Sequence, residues 1–289
     1  MTHYYIHNIN PILLHVAGPL AIRWYGISYL LGFIASILLL HHWAKRKEFA
    51  VEPDEVSNFV FGLAFFGVFL GGRLGYVLLY GLHFLKEDPL YLFKVWDGGM
   101  ASHGGMVGVI LYMLWYARKH QKPFWNLTDN MACTASLGIA FGRVANFING
   151  ELWGRITTVP WAVVFPEELG RSYGEYTPAE IRPFVEAGLL HPRHPSQLYQ
   201  AFCEGFLVFA LLLLLRKTRW GKRSGALSFA FLVLYAVARI GMEFFREPDA
   251  GAPVYFGWLT KGQLYSLFML LGAALIAWKK QLFASNAEA

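Results

Sequence analysis

Five charged side chains and one histidine lie inside otherwise apolar segments of this 289-residue chain: Arg73, Arg143, Arg239, Glu204, Glu243 and His103. A charge at bilayer depth costs about 2.5–3.5 kcal/mol on insertion scales, so each such residue needs a role. Tyr235, Arg239 and Glu243 follow i, i+4, i+8 on one helical face. Arg143, Asn146, Phe147 and Gly150 follow i, i+3, i+4, i+7, and Glu151 continues their line. Two arginines at one depth on different helices suit an anionic ligand, because a guanidinium grips phosphate through two parallel hydrogen bonds. His103, in Ala-Ser-His-Gly-Gly-Met, could act as a base, since imidazole titrates near neutrality. The competing reading is bland: interhelical ion pairs, a structural histidine at a helix end, and glycines beside Arg73 (Gly71, Gly72, Gly75) that let helices approach.

The elements that must position these residues are membrane helices. Windows of about 20 apolar residues predict seven spans, at 20–42, 57–80, 100–117, 127–149, 197–215, 226–245 and 262–278. The third is the shortest, and Gly104, Gly105 and Gly108 weaken it as a helix. Cations concentrate in alternate connections: Lys45-Arg46-Lys47, Arg118-Lys119 with Lys122, Arg216-Lys217 with Arg219, Lys222 and Arg223, and Lys279-Lys280. The positive-inside rule then predicts an outer N-terminus and a cytoplasmic C-terminus. In that orientation Arg73, Arg143, Arg239 and Glu243 come late in outward-running helices, and Tyr25, His103 and Glu204 come early in inward-running ones. All fall in the outer third of the bilayer, a level that independent ion pairs have no reason to share. Residues 150–196, rich in Pro, Gly and charge, read as a small outer cap with a strand at 161–165 and a helix at 178–187. With no repeat or linker, residues 1–289 are expected to form a single domain.

Composition excludes the main rivals. The chain is 56% hydrophobic and only 15% charged, too little charge to cover a soluble surface of this size. The net charge of +6 sits in loops rather than in a basic stripe with interleaved aromatics, so no nucleic acid is expected as partner. Cys133 and Cys203 fall in apolar segments, which excludes a disulfide framework, and no zinc spacing appears. Residues 1–19 lack the basic region and cleavage site of a signal peptide, so the first apolar segment is expected to stay as a membrane helix. His-Gly-Gly is similar to a lipase oxyanion motif, but no Gly-x-Ser-x-Gly follows, and no Walker motif appears. An anion transporter is the rival from another class. It would place its charges near mid-membrane in matched halves, and seven spans do not divide equally.

Gly142-Arg143-Val144-Ala145-Asn146-Phe147-Ile148-Asn149-Gly150-Glu151-Leu152-Trp153-Gly154-Arg155 closely resembles the signature of the prolipoprotein diacylglyceryl transferase family. Arg23-Trp24-Tyr25-Gly26, Ser102-His103-Gly104-Gly105, His194-Pro195-Ser196-Gln197-Leu198-Tyr199 and Arg239-Ile240-Gly241-Met242-Glu243-Phe244-Phe245-Arg246 look like further family blocks, in family order. The resemblance implies an all-α membrane enzyme of the bacterial inner membrane, with seven transmembrane helices, a periplasmic N-terminus, a cytoplasmic C-terminus and a small periplasmic cap. It implies transfer of the diacylglyceryl group of phosphatidylglycerol, a membrane lipid, to the lipobox cysteine of a prolipoprotein, with release of glycerol phosphate. On that footing His103 is the expected base, and Tyr25 or Tyr235 orients it or the thiol. Arg143 and Arg239 are expected to hold the phosphate, with Glu243 and Glu151 bracing them. Asn146 and Gly154 are expected to position headgroup or loop, and neither metal nor cofactor is required.

Overall fold

The computed structural model describes residues 4–17, 20–94, 98–248, 255–257 and 259–284. It is mostly helical. The helices are α1 (Trp24–Lys45), α2 (Pro53–Tyr80), α3 (Leu82–Glu87), α4 (Ser102–Lys119), α5 (Phe124–Ile148), α6 (Pro178–Glu186), α7 (Ser196–Arg216), α8 (Ala226–Met242) and α9 (Lys261–Lys280). Five of them, α1, α2, α5, α7 and α9, are long and apolar enough to cross a bilayer; α8 is apolar but shorter. Leu38, Phe61, Leu78, Leu214, Val237 and Leu271 stand exposed along these helices, which in water would be an aggregation surface and in lipid is a solvated one. The predicted third span does form a helix, α4, despite its glycines. Leu20–Arg23, expected as the start of the first span, is instead strand β3, paired antiparallel with β2 (Ile12–Ala17). The helix begins only at Trp24, whose N–H donates to the Pro11 carbonyl at 3.1 Å.

The chain divides into two compact units, residues 33–131 and residues 1–32 with 132–289. In the first, α4 packs along α2 through glycine. A Cβ added at Gly71 would meet the Gly104 carbonyl oxygen and the Gly108 Cα, and one added at Gly75 would meet the Gly104 backbone. The same glycines that lower helix propensity therefore let the backbones touch. Leu63–Leu70 of α2 takes a π-helical form next to this crossing.

In the second unit, α8 and α9 pack along most of their lengths, and α7 lies against α8. Helix α7 is π-helical over Ala201–Phe206. The segment 150–196 carries strand β4 (Val163–Val164), helix α6 and strand β5 (Pro192–Arg193). Helix α6 opens with a Thr177–Glu180 capping box and Pro178 in its first turn. Strand β1 (Tyr5–Ile6) runs parallel to β4, and β5 runs antiparallel to it. Beneath them Ile6, Val164, Tyr176, Ile181 and Leu190 form a small core.

Candidate functional site

The second unit gathers its charges around one carboxylate. Glu204 sits in the π-helical stretch of α7 and is fully buried. Its next residue, Gly205, lies so close to α5 that a Cβ would collide with Ala140. That approach brings Glu204 Oε2 to 3.6 Å from Arg143 Nη2, one turn along α5. From the other side Arg239 Nη1 of α8 stands 3.5 Å from Glu204 Oε1 and 2.8 Å from Glu243 Oε2. Tyr235, one turn earlier on α8, has Arg143, Arg239 and Glu204 as charged neighbours, with Arg143 within hydrogen-bonding reach. Arg246 is a further cationic neighbour of Glu204. Glu204 thus has three guanidiniums as charged neighbours, and with Glu243 the group keeps an excess positive charge that suits a monoanion.

This is a costly arrangement. Neither Glu204 oxygen accepts a well-formed hydrogen bond, although Arg239 Nη1 and Glu243 Oε2 do meet at 2.8 Å as an ion pair. Burying ions whose geometry is imperfect loses several kcal/mol per charge relative to water. Purely structural pairs to Glu204 would be expected to close to hydrogen-bonding distance, as Arg239 and Glu243 do, instead of standing at 3.6 and 3.5 Å. Gly262, at the start of α9, presses on the same group, since a Cβ there would stand 2.8 Å from Arg239 Nη2 and 2.9 Å from both Glu243 oxygens.

Above the arginines the chain leaves α5 through a tight loop, with Gly150 at φ +66° and Leu152 at φ +58°. Asn146 Nδ2 donates to Glu151 Oε1 at 2.7 Å, and Asn149 Nδ2 to the same oxygen at 3.4 Å. Glu151 therefore braces asparagines rather than an arginine, contrary to expectation. Gln197 Nε2 donates to the Glu151 carbonyl at 2.7 Å. Gly154 is threaded between two strands of backbone: its N–H donates to the His194 carbonyl at 3.0 Å, and a Cβ would collide with the His194 and Phe245 carbonyls. Arg193 locks this layer, donating to Glu168 at 2.8 Å through Nε and to the Gly154 carbonyl at 3.1 Å. Burial lowers the pKa of His194 below the ordinary imidazole value.

The structure thus unites Arg143, Arg239, Glu243 and Tyr235 around Glu204, with Asn146 in the last turn of α5 and Glu151 and Gly154 in the segment that follows it. Tyr25 stands in the first turn of α1, partly exposed, its ring 5.4 Å from Tyr29. His103 is half-buried in the first turn of α4, in the other unit. Arg73 belongs to that unit too, and backbone carbonyls engage its guanidinium. It is 2% exposed and donates to the carbonyls of Leu92, Gly98, Gly99, Tyr91 and Lys94, with its plane 4.7 Å from the Tyr91 ring centroid. Gln200 and Gly262 escaped sequence reasoning, although Gln197, Gln200 and Glu204 at i, i+3, i+7 in an apolar span are a readable polar face.

The family model described as prolipoprotein diacylglyceryl transferase matches residues 11–279. The chain is 43% identical over 272 residues to the phosphatidylglycerol–prolipoprotein diacylglyceryl transferase of Photobacterium profundum, with 93% of each chain covered. It is 44% identical over 277 residues to the protein of the same description from Pectobacterium atrosepticum, again with 93% of each covered. It is 43% identical over 283 residues to that of Sodalis glossinidius, with 96% of each covered.

Proposed function

We propose a mechanism from one premise: the chain belongs to the prolipoprotein diacylglyceryl transferase family. It is a multi-pass membrane transferase that moves a diacylglyceryl group from phosphatidylglycerol to a prolipoprotein. In our reading the acceptor is the lipobox cysteine thiol, which attacks the glycerol carbon bearing the phosphate. The sulfur–carbon bond forms as the carbon–oxygen bond breaks, and glycerol phosphate leaves with the bonding electrons. A thiol with pKa near 8.5 is mostly protonated at neutral pH, so its proton must be taken. His103 takes it, with Tyr25 or Tyr235 orienting base or thiol.

The observation that carries this reading is the buried Arg143–Glu204–Arg239 cluster. Negative charge grows on the departing phosphate, and fixed guanidiniums in a low-dielectric site stabilise it without reorganising. Glu204 and Glu243 keep both arginines in position, while the Asn146–Glu151 and Gly154 layer positions the headgroup or the peptide above them.

The same reading gives seven spans, α4 and α8 completing the five apolar helices, with the N-terminus periplasmic and the C-terminus in the cytoplasm of a bacterial inner-membrane protein. Residues 150–196 form the periplasmic cap of one catalytic domain. The alternating cationic loops support this orientation. Purified protein incubated with phosphatidylglycerol and a lipobox peptide should release glycerol phosphate and yield a thioether-linked cysteine. If neither product forms in a folded preparation, the proposal fails.

A further inference from the structure

Gln200 is fully buried, yet neither Oε1 nor Nε2 of its amide has a hydrogen-bond partner. Gln197, also fully buried, satisfies its Nε2 on the Glu151 carbonyl but leaves Oε1 without one. Each buried polar group left unmatched costs about 1–3 kcal/mol. Three such atoms on one short stretch of helix are therefore held open for something else.

Their place is fixed by their neighbours. Gln197, Gln200 and Glu204 share one face of α7 at i, i+3, i+7. Along that face Gln197 is tied to Glu151, and Glu204 lies beside Arg143 and Arg239. Gln200 therefore falls between the Asn146–Glu151 loop and the arginine cluster, one turn from the proposed phosphate position.

The chemistry of an amide narrows what belongs there. It presents a donor and an acceptor side by side. A phosphate offers acceptors only, and an ammonium offers donors only and would meet three arginines. An alcohol hydroxyl both donates and accepts, and two neighbouring hydroxyls match an amide's two faces. We propose that Gln197 and Gln200 form a diol-reading subsite, which selects phospholipids whose phosphate carries a neutral polyol headgroup. This rests on the transferase reading above and assigns its headgroup selectivity to two named side chains.

The test compares phosphatidylglycerol with phosphatidylpropanol, which keeps the phosphodiester charge and lacks both headgroup hydroxyls. Lipidation of a lipobox peptide is the readout. Sites built to hydrogen-bond a hydroxyl reject analogues lacking it strongly, so wild type should favour phosphatidylglycerol in kcat/KM by at least about 100-fold. Gln200→Met should cut that ratio at least about tenfold, and Gln197→Met should cut it less, since one of its two polar atoms is already engaged. A wild-type ratio near one overturns the proposal. So does a Gln200→Met variant that loses both lipids in proportion, because that is what a merely structural glutamine would do. Should Gln200→Met fail to accumulate, Gln200→Leu and Gln197→Met carry the same comparison. Native mass spectrometry of the two lipids retained by wild type reads the subsite without turnover. Preferential retention with no lipidation would count against the transferase reading and for the subsite; lipidation without preference would do the reverse.

Discussion

Arg73 and the pair Arg143 and Arg239 began as equivalent: all are arginines in apolar helices, at one expected depth. Their surroundings separate them. Arg73 spends every guanidinium N–H on the backbone carbonyls of Tyr91, Leu92, Lys94, Gly98 and Gly99 and lies over the Tyr91 ring, so its charge is dispersed over neutral dipoles. Arg143 and Arg239 instead face the buried Glu204 carboxylate at 3.6 and 3.5 Å, neither of whose oxygens has a hydrogen-bond partner, and Arg239 also meets Glu243 at 2.8 Å. A cation saturated by backbone carbonyls builds structure, whereas one loosely held by a carboxylate keeps capacity for a ligand. Burial and charge alone do not distinguish the two; the partners do.

The largest effects should come from the pair that faces Glu204. Arg143→Ala or Arg239→Ala is expected to lower kcat/KM about 10³-fold, the loss typical of removing one donor to a developing oxyanion. Kinetics with phosphatidylglycerol and a lipobox peptide would check it, and unchanged values for either variant would sink the phosphate role. His103→Gln comes next. The loss of a general base should reduce transfer by about 10²-fold or more while lipid binding persists. Wild-type turnover in that variant would leave the unit containing Arg73 without a chemical part.

Arg73→Gln should break the comparison in the opposite direction. It replaces five guanidinium N–H donors with the two of an amide, leaving at least three carbonyls unpaired, each worth about 1–3 kcal/mol when buried. The expected outcome is a lower melting temperature and poorer yield, with turnover per folded molecule close to wild type. A folded, stable Arg73→Gln that loses turnover like Arg143→Ala would place Arg73 in the site and erase the distinction. Gly262→Ala sharpens the other side. The three atoms nearest its new Cβ would be the ends of the Arg239 and Glu243 side chains. Stability should change little, while the displaced guanidinium should cost about tenfold in turnover, near 1.4 kcal/mol of barrier.

Much of the site was legible because helical period fixes faces. The i, i+4, i+8 line of Tyr235, Arg239 and Glu243 and the i, i+3 pair Arg143 and Asn146 fall where the structure puts them. Glu204 was visible as a possible partner for one arginine, and it lies beside both. Gln200 carried no charge to mark it in an apolar window. Gly262 acts only through a distance between α8 and α9, which no single segment encodes. The fate of Arg73 depended on where the carbonyls of Tyr91, Leu92, Lys94, Gly98 and Gly99 lie, which helical periodicity does not fix. Strand β3 was missed because Leu-Ala-Ile reads as apolar in either helix or strand, and only its pairing with β2 decides.

The smallest expected effect lies outside the apolar spans and is one of titration. Burial of His194 disfavours its imidazolium, so its folded pKa lies below the ordinary value. Above about pH 6.5 the ring is neutral in folded and unfolded chains alike, and it contributes no pH dependence there. As pH falls below that value the unfolded chain takes up the proton first, so the folded state loses stability until its own imidazole protonates. Melting temperature measured between neutral pH and mildly acidic pH should therefore fall more steeply in wild type than in His194→Gln. The Gly154 layer that His194 supports would loosen with it, since its carbonyl accepts the Gly154 N–H at 3.0 Å. Superimposable profiles for the two proteins would remove the imidazole as the cause.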